Sequence, residues 1–112
     1  MLWNKQKTYQ TFTMEDARRE LENDRTITLL DVRSQGEYQR GHIPGSINLP
    51  VERIAQADAF VPGSASRVFV YCQSGARSRM AAALLSRMGY MDVTDLGGIL
   101  AWRGKLERSA GA

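Results

Sequence analysis

Cysteine, proline and long apolar stretches are all scarce in this sequence. Its 112 residues include one cysteine and three prolines, and a single cysteine excludes both an internal disulfide framework and a cysteine-rich metal site. The longest unbroken apolar run covers only residues 80–85, whereas a membrane-spanning helix needs about twenty apolar residues. With 43% hydrophobic and 24% charged residues and no biased tract, the chain is expected to form one folded domain.

We expect this domain to span residues 1–112, with a core of roughly 8–107 and flexible termini that include the tail 107–112. Residues 1–7 lack the apolar core of a signal peptide. The single cysteine favours a reducing compartment, and a cytoplasmic location without membrane attachment is therefore predicted.

The positive charge of the chain is concentrated in one segment. The formal net charge is +3, yet no acidic residue occurs between Asp58 and Asp92. Four arginines lie in that interval: Arg67, Arg77, Arg79 and Arg87. A basic protein can bind nucleic acid, but here no lysine or arginine stripe and no aromatic platform accompanies the charge. The pattern instead favours a local anion site near Cys72 and predicts no nucleic-acid partner.

Strand-like and helix-like segments alternate along the chain. Apolar and β-branched runs predict strands at 9–12, 26–31, 46–49, 67–71 and 91–96. Helical spacing of apolar residues predicts helices at about 14–21, 35–40, 51–55 and 77–88, and a last helix in which Ile99, Trp102 and Leu106 face inward. Capping pairs start two of them, Thr13 with Asp16 and Ser34 with Glu37, while Gly89 ends another. This alternation predicts an α/β fold with a mostly parallel five-stranded sheet flanked by helices on both faces.

Cys72 directly follows the apolar run 67–71, which is typical of a strand buried on both faces. Ligands of parallel sheets bind beyond the carboxyl ends of the strands. Small residues and Gly75 let residues 72–78, called here the Cys72 loop, curl so that successive N–H groups converge. A helix starting near Arg77 or Ser78 adds its positive end. A lone cysteine is usually a buried apolar residue, but this placement favours a readily ionised nucleophile.

Several motifs, in order and at matching spacings, resemble those of a single-domain rhodanese, a sulfurtransferase module. The segments that carry the resemblance are 30–33 (LDVR), 37–38 (EY), 41–50 (GHIPGSINLP), 72–78 (CQSGARS) and 97–98 (GG) with Trp102. They span nearly the whole chain.

The resemblance implies a sulfane sulfur transfer through a persulfide on Cys72. The donor would be thiosulfate or a persulfide, and the acceptor would be cyanide, a thiol or a sulfur-relay protein. No cofactor and no metal would be needed. The substrate-binding residues would be Gln73, Ser74, Gly75, Ala76, Arg77 and Ser78.

Supporting side chains receive more specific expectations. Arg77 is expected to fix the loop and attract the anionic donor, and Ser78 either donates to the sulfur or caps the helix. Gln73 departs from the cation that thiosulfate-using relatives often carry there. Asp31 and Arg33 are expected to form a structural ion pair, and His42 to have a structural hydrogen-bonding role.

Two other functions stay open. A catalytically silent rhodanese-like module would bind partners or relay regulation, because fold alone does not prove activity. A related cysteine-loop phosphatase or arsenate reductase would place five residues between cysteine and arginine, whereas four residues separate Cys72 from Arg77. A phosphatase also needs a carboxylic acid to protonate the leaving group, and 73–79 contains none.

Overall fold

A computed structural model of the protein describes residues 8–109, so the expectation of flexible ends at 1–7 and 110–112 lies outside the described residues. The elements are β1 (Gln10–Thr11), α1 (Met14–Asn23), β2 (Thr28–Asp31), α2 (Gln35–Arg40), β3 (Ile47–Asn48), a 3₁₀ segment (Val51–Ala59), β4 (Arg67–Cys72), α3 (Ala76–Arg87), β5 (Asp92–Gly98) and a 3₁₀ turn (Ile99–Ala101). Within 8–109, no helix has the length and apolar composition needed to cross a bilayer.

The five strands form one sheet in the order β1-β5-β4-β2-β3. All pairings between these strands are parallel, which confirms the predicted α/β fold. β4 lies at the centre, with β2 and β5 on either side. The carboxyl ends of all five strands therefore meet at one rim, and the central strand delivers Cys72 to it.

Side chains of β4 alternate between two apolar clusters, one on each face of the sheet. Val68, Val70 and Cys72 pack in the cluster that includes Ala81 and Leu85 of α3. Phe69 and Tyr71 pack in the opposite cluster, which also holds Met14 and Ala17 of α1. All five of these β4 residues are buried, and the continuous apolar run follows from this burial on both faces.

The predicted caps are present because they depend on local geometry alone. The Asp16 N–H donates to Thr13 Oγ1 over 3.0 Å at the start of α1. At α2, the Glu37 N–H donates to Ser34 Oγ and the Ser34 N–H donates to Glu37 Oε1, which completes the capping box. Gly89 follows α3 with a φ of 104°, the left-handed conformation that ends helices.

The helix predicted after Gly98 is wrong beyond Ala101. The 3₁₀ turn ends there, and the Trp102 indole N–H donates to the Lys105 carbonyl over 3.0 Å, so the chain folds back around the ring. Gly104 lies so close to this indole that a Cβ would be 2.9 Å from it. Leu106 is consequently half-exposed at 51% instead of facing inward.

The helix predicted at 51–55 is a 3₁₀ segment with a kink at Arg53. Its buried side chains are Ile54 and Ala57, while Ala55 is exposed. Three-residue spacing replaces the predicted helical spacing because 3₁₀ geometry repeats every three residues.

The described part of the tail, 107–109, is hydrogen-bonded to the rest of the domain. His42 and Glu107 exchange backbone hydrogen bonds of 2.8 Å in both directions. The Ser109 N–H donates to the Gln39 carbonyl over 3.1 Å. These bonds attach the end of the described chain to α2 and the turn after it.

Candidate active site

Cys72 is the last residue of β4 and its side chain is almost fully enclosed. The residue is 1% exposed and contacts the cluster shared by α3 and the 3₁₀ segment. α3 begins at Ala76, four residues after the cysteine and slightly earlier than predicted. The sulfur therefore lies between the end of a buried strand and the start of a helix.

One loop amide contacts the sulfur. The Gly75 N–H donates to Cys72 Sγ over 3.0 Å, and within residues 8–109 it is the one amide of the Cys72 loop that does so. Gly75 is the N-cap of α3 and has a φ of 111°. Residues with a side chain rarely adopt this backbone conformation. A hydrogen-bond donor at this distance stabilises negative charge on the sulfur. The loop thus supplies a single directed donor where the sequence predicted several converging amides.

Ser78 lies in the first turn of α3, and its hydroxyl bonds to the backbone of the Cys72 loop. Its hydroxyl is fully buried and donates to the Gly75 carbonyl over 3.1 Å. This bond is neither of the two contacts expected for Ser78, because the hydroxyl donates to a carbonyl and α3 has no side-chain cap. The bond holds the same residue, Gly75, whose N–H contacts Cys72.

Arg77 forms an ion pair with α2. Its guanidinium donates to both carboxylate oxygens of Glu37, over 2.7 Å and 3.0 Å. The hydrogen bonds from Arg77 lower the pKa of Glu37 to about 2. The expectation that Arg77 fixes the loop is thus matched by a specific contact. Its charge, however, is offset by a carboxylate that the sequence reasoning did not identify as a partner.

Gln73 is held by a second arginine at the rim. Arg33 donates to Gln73 Oε1 over 3.1 Å, to Asp31 Oδ2 over 2.6 Å and to the Gly41 carbonyl over 2.6 Å. Arg33 is 4% exposed, and Asp31 is completely buried. Burial lowers the pKa of Arg33, but the hydrogen bonds and charge of Asp31 raise it overall. The predicted Asp31–Arg33 ion pair is present, and it also contacts the Cys72 loop.

The remaining predicted residues surround this centre. Ser74 and Ala76 are exposed, on the outside of the loop. His42 is buried, its Nδ1–H donates to the Tyr38 carbonyl over 2.8 Å and its ring stacks on Tyr38 at 3.7 Å. These contacts match the structural role expected for the histidine. Within 8–109, no group of three or more histidine, cysteine or acidic side chains could hold a metal ion.

Comparison with protein families adds a match over residues 13–105 to the model described as rhodanese-like domain. The chain belongs to the rhodanese-like domain family. The match includes every element from α1 to the 3₁₀ turn, together with the whole Cys72 loop.

Relatives of this rhodanese-like domain include a named sulfurtransferase. Thiosulfate sulfurtransferase PspE of Escherichia coli is 43% identical over 74 residues, which cover 62% of this chain and 68% of PspE. YrkF of Bacillus subtilis is 30% identical over 96 residues, 85% of this chain, and the chain spans about half of YrkF, 51%. A solved rhodanese with anions from E. coli superposes with a TM-score of 0.70 and 32% identity, covering 73% of this chain and 98% of that one.

Proposed function

We propose that this rhodanese-like domain is a sulfurtransferase that carries a sulfane sulfur as a persulfide on Cys72. The observation that carries the proposal is the Gly75 N–H donating to Cys72 Sγ over 3.0 Å, at the end of the central strand. A donor there stabilises both a thiolate and the terminal sulfur of a persulfide. The relative PspE, named a thiosulfate sulfurtransferase, supports the same type of reaction.

The reaction needs two displacements at sulfur. The Cys72 thiolate attacks the outer sulfur of thiosulfate, a new S–S bond forms, the S–S bond of the donor breaks, and sulfite leaves with the electron pair. In the second step, a cyanide carbon or a thiolate sulfur attacks the outer persulfide sulfur. Cys72 then leaves as a thiolate, and the product is thiocyanate or a new persulfide. Sulfur transfer of this kind requires neither a metal nor an organic cofactor.

In this proposal the loop residues bind the donor around Cys72. Gly75 supplies the directed N–H, and Ser78 and Arg77 hold the backbone that presents it. Gln73, Ser74 and Ala76 form the rest of the substrate-binding rim, and two of these residues are exposed.

The charges at the rim bear on which donor is used. Arg33 contacts the loop and Arg77 belongs to it, and each of these two cations is paired with a carboxylate, Asp31 or Glu37. Paired cations attract a dianion such as thiosulfate less than free cations do. We therefore include an organic persulfide as donor, and a thiol or a sulfur-relay protein as acceptor. The name of YrkF, putative sulfur carrier protein, supports a protein acceptor.

Intact-mass spectrometry tests the proposal directly. The protein is incubated with thiosulfate or with an organic persulfide, desalted, and measured with and without a reductant. A gain of one sulfur atom that the reductant removes is expected for the wild type. Cys72→Ser, which keeps a polar group of similar size, should gain none.

Other outcomes point to the alternative functions. If no sulfur is gained from either donor, the sulfurtransferase proposal fails and a silent binding module fits the fold better. Turnover of an aryl phosphate that depends on Cys72 would instead favour the phosphatase.

A further inference from the structure

The end of β5 lies directly beneath the Cys72 loop. From Val70 to Cys72, β4 advances by two residues, whereas the paired β5 advances by three, from Asp95 to Gly98. This irregularity is a β-bulge, called here the β5 bulge (Asp95–Gly98). It places Gly98 opposite the cysteine itself.

Two features build the β5 bulge. Gly97 has a φ of 77°, which is strained for any residue with a side chain. Its N–H donates to Asp95 Oδ1 over 2.9 Å, and Asp95 is 8% exposed. A buried carboxylate thus fixes the turn that brings Gly98 under the loop.

The loop backbone leaves no space for a side chain at position 98. A Cβ at this position would overlap the Gln73 carbonyl oxygen and lie 2.9 Å from Ser74 Cα. Both neighbours are backbone atoms, so a rotamer change cannot relieve the clash. The φ of Gly98 is −97°, which alanine adopts readily. The position therefore requires glycine for its close approach to the loop and not for its conformation.

We propose that Gly98 is a positioning residue: its missing side chain lets the β5 bulge support the backbone of Gln73 and Ser74, and so places the Gly75 N–H on Cys72 Sγ. The inference rests on Cys72 being the reactive group of the proposed function. Gly98 acts on the sulfur through the loop backbone, because it touches the loop at the two residues between Cys72 and Gly75, Gln73 and Ser74.

The experiment follows the thiol itself. Alkylation by iodoacetamide is measured from pH 5 to 10, because the pH midpoint reports ionisation, while the plateau rate reports access to the sulfur. Gly98→Ala should remain folded, with a cooperative thermal transition, and its midpoint should rise by about one unit as the bond to the sulfur weakens. Its kcat/KM for sulfur transfer should fall roughly tenfold. Gly63→Ala is the matched control, because a Cβ at Gly63 has nothing within 4 Å.

Two variants at Asp95 cover the case in which Gly98→Ala does not fold. Asp95→Ala and Asp95→Asn both remove the charge, but only the asparagine keeps an oxygen acceptor for the Gly97 N–H. The alkylation midpoint of Asp95→Ala should lie above that of Asp95→Asn.

A folded Gly98→Ala with the wild-type midpoint, or equal midpoints for the two Asp95 variants, overturns the inference. Alkylation does not require sulfur transfer. The alkylation midpoints can therefore move as expected even if neither the wild type nor any variant forms a persulfide. In that case the proposed function fails and the positioning role of Gly98 stands.

Discussion

At the scale of single residues, the guanidinium of Arg77 can act in two ways that the structure makes distinguishable. It is bound by both oxygens of Glu37, so it ties the first turn of α3 to α2. A cation that attracted the donor directly would be weakened by that carboxylate. A cation that positions the loop would depend on its bonds to the Glu37 carboxylate.

Paired substitutions separate these roles. If Arg77 positions the loop, Arg77→Ala and Glu37→Ala should each lower kcat/KM for sulfur transfer by about fivefold, the factor that corresponds to 1 kcal/mol. The double variant should lose little more than either single one, because both remove the same contact. Steady-state kinetics with thiosulfate and with an organic persulfide provide the measurement. A gain of activity in Glu37→Ala would show instead that the carboxylate masks a donor-binding charge.

The sequence predicted the local part of this site and not its distant partners. Cys72 could be nominated because a buried strand, a glycine-containing loop and a helix start are adjacent in the chain. Glu37 lies 40 residues from Arg77, and its local role in capping α2 gave no sign of a second partner. The two adjacent glycines at 97–98 were a visible signal, but their purpose depends on a register shift between two strands.

At the scale of elements, α2 depends on one carboxylate for both its cap and its contact with α3. Glu37 accepts from the Ser34 N–H at 2.9 Å and from Arg77 at 2.7 Å. Its pKa of about 2 lies below the ordinary value of 4.5. A lowered carboxyl pKa means that its stabilisation is complete above about pH 4.5 and is lost as the pH falls towards 2.

Acid stability should therefore depend on Glu37. The wild type is expected to lose about 1 kcal/mol of unfolding free energy through this group between pH 5 and 2, a value reduced for partial solvent screening. Glu37→Gln should be less stable at pH 7 and lose less on acidification. Urea titrations at pH 7, 4 and 3 measure the difference. Glu52→Gln, at an exposed position, is the control, and a parallel decline in Glu37→Gln and the wild type would contradict the assignment.

Elements with local signals were predicted well, and those decided by tertiary contacts were not. Thr13 and Ser34 start helices as expected because their partners are three residues away. Ile99, Trp102 and Leu106 have helical spacing, yet the chain leaves the helix at Trp102 because the indole N–H bonds to the Lys105 carbonyl. No periodicity in the sequence reports that contact.

At the scale of the whole molecule, β4 belongs to both apolar clusters. Phe69 packs edge-to-face on Phe12 at 5.7 Å on one face, and Val70 packs in the α3 cluster on the other. Because one central strand joins the two faces, a destabilising substitution on either face should lower the free energy of unfolding of the whole domain.

Truncations on opposite faces test this coupling. Phe69→Ala should cost about 3–5 kcal/mol and Leu85→Ala about 2–5 kcal/mol of unfolding free energy, since both side chains are fully buried. In each variant, tryptophan fluorescence and far-ultraviolet circular dichroism should report one coincident urea transition. Leu100→Ala, at a position that is 76% exposed, should change stability by less than about 0.5 kcal/mol. Separate transitions for the two probes would show that the faces unfold independently.

The outermost strands, β1 and β3, each contain two residues. Free N–H and C=O groups along a sheet border are the template on which an extended segment of another polypeptide adds, and long borders promote aggregation. Within residues 8–109, each of these two strands presents a border only two residues long. Such short outermost strands give an extended segment of another protein little backbone to pair with, which disfavours edge-to-edge association at β1 and β3.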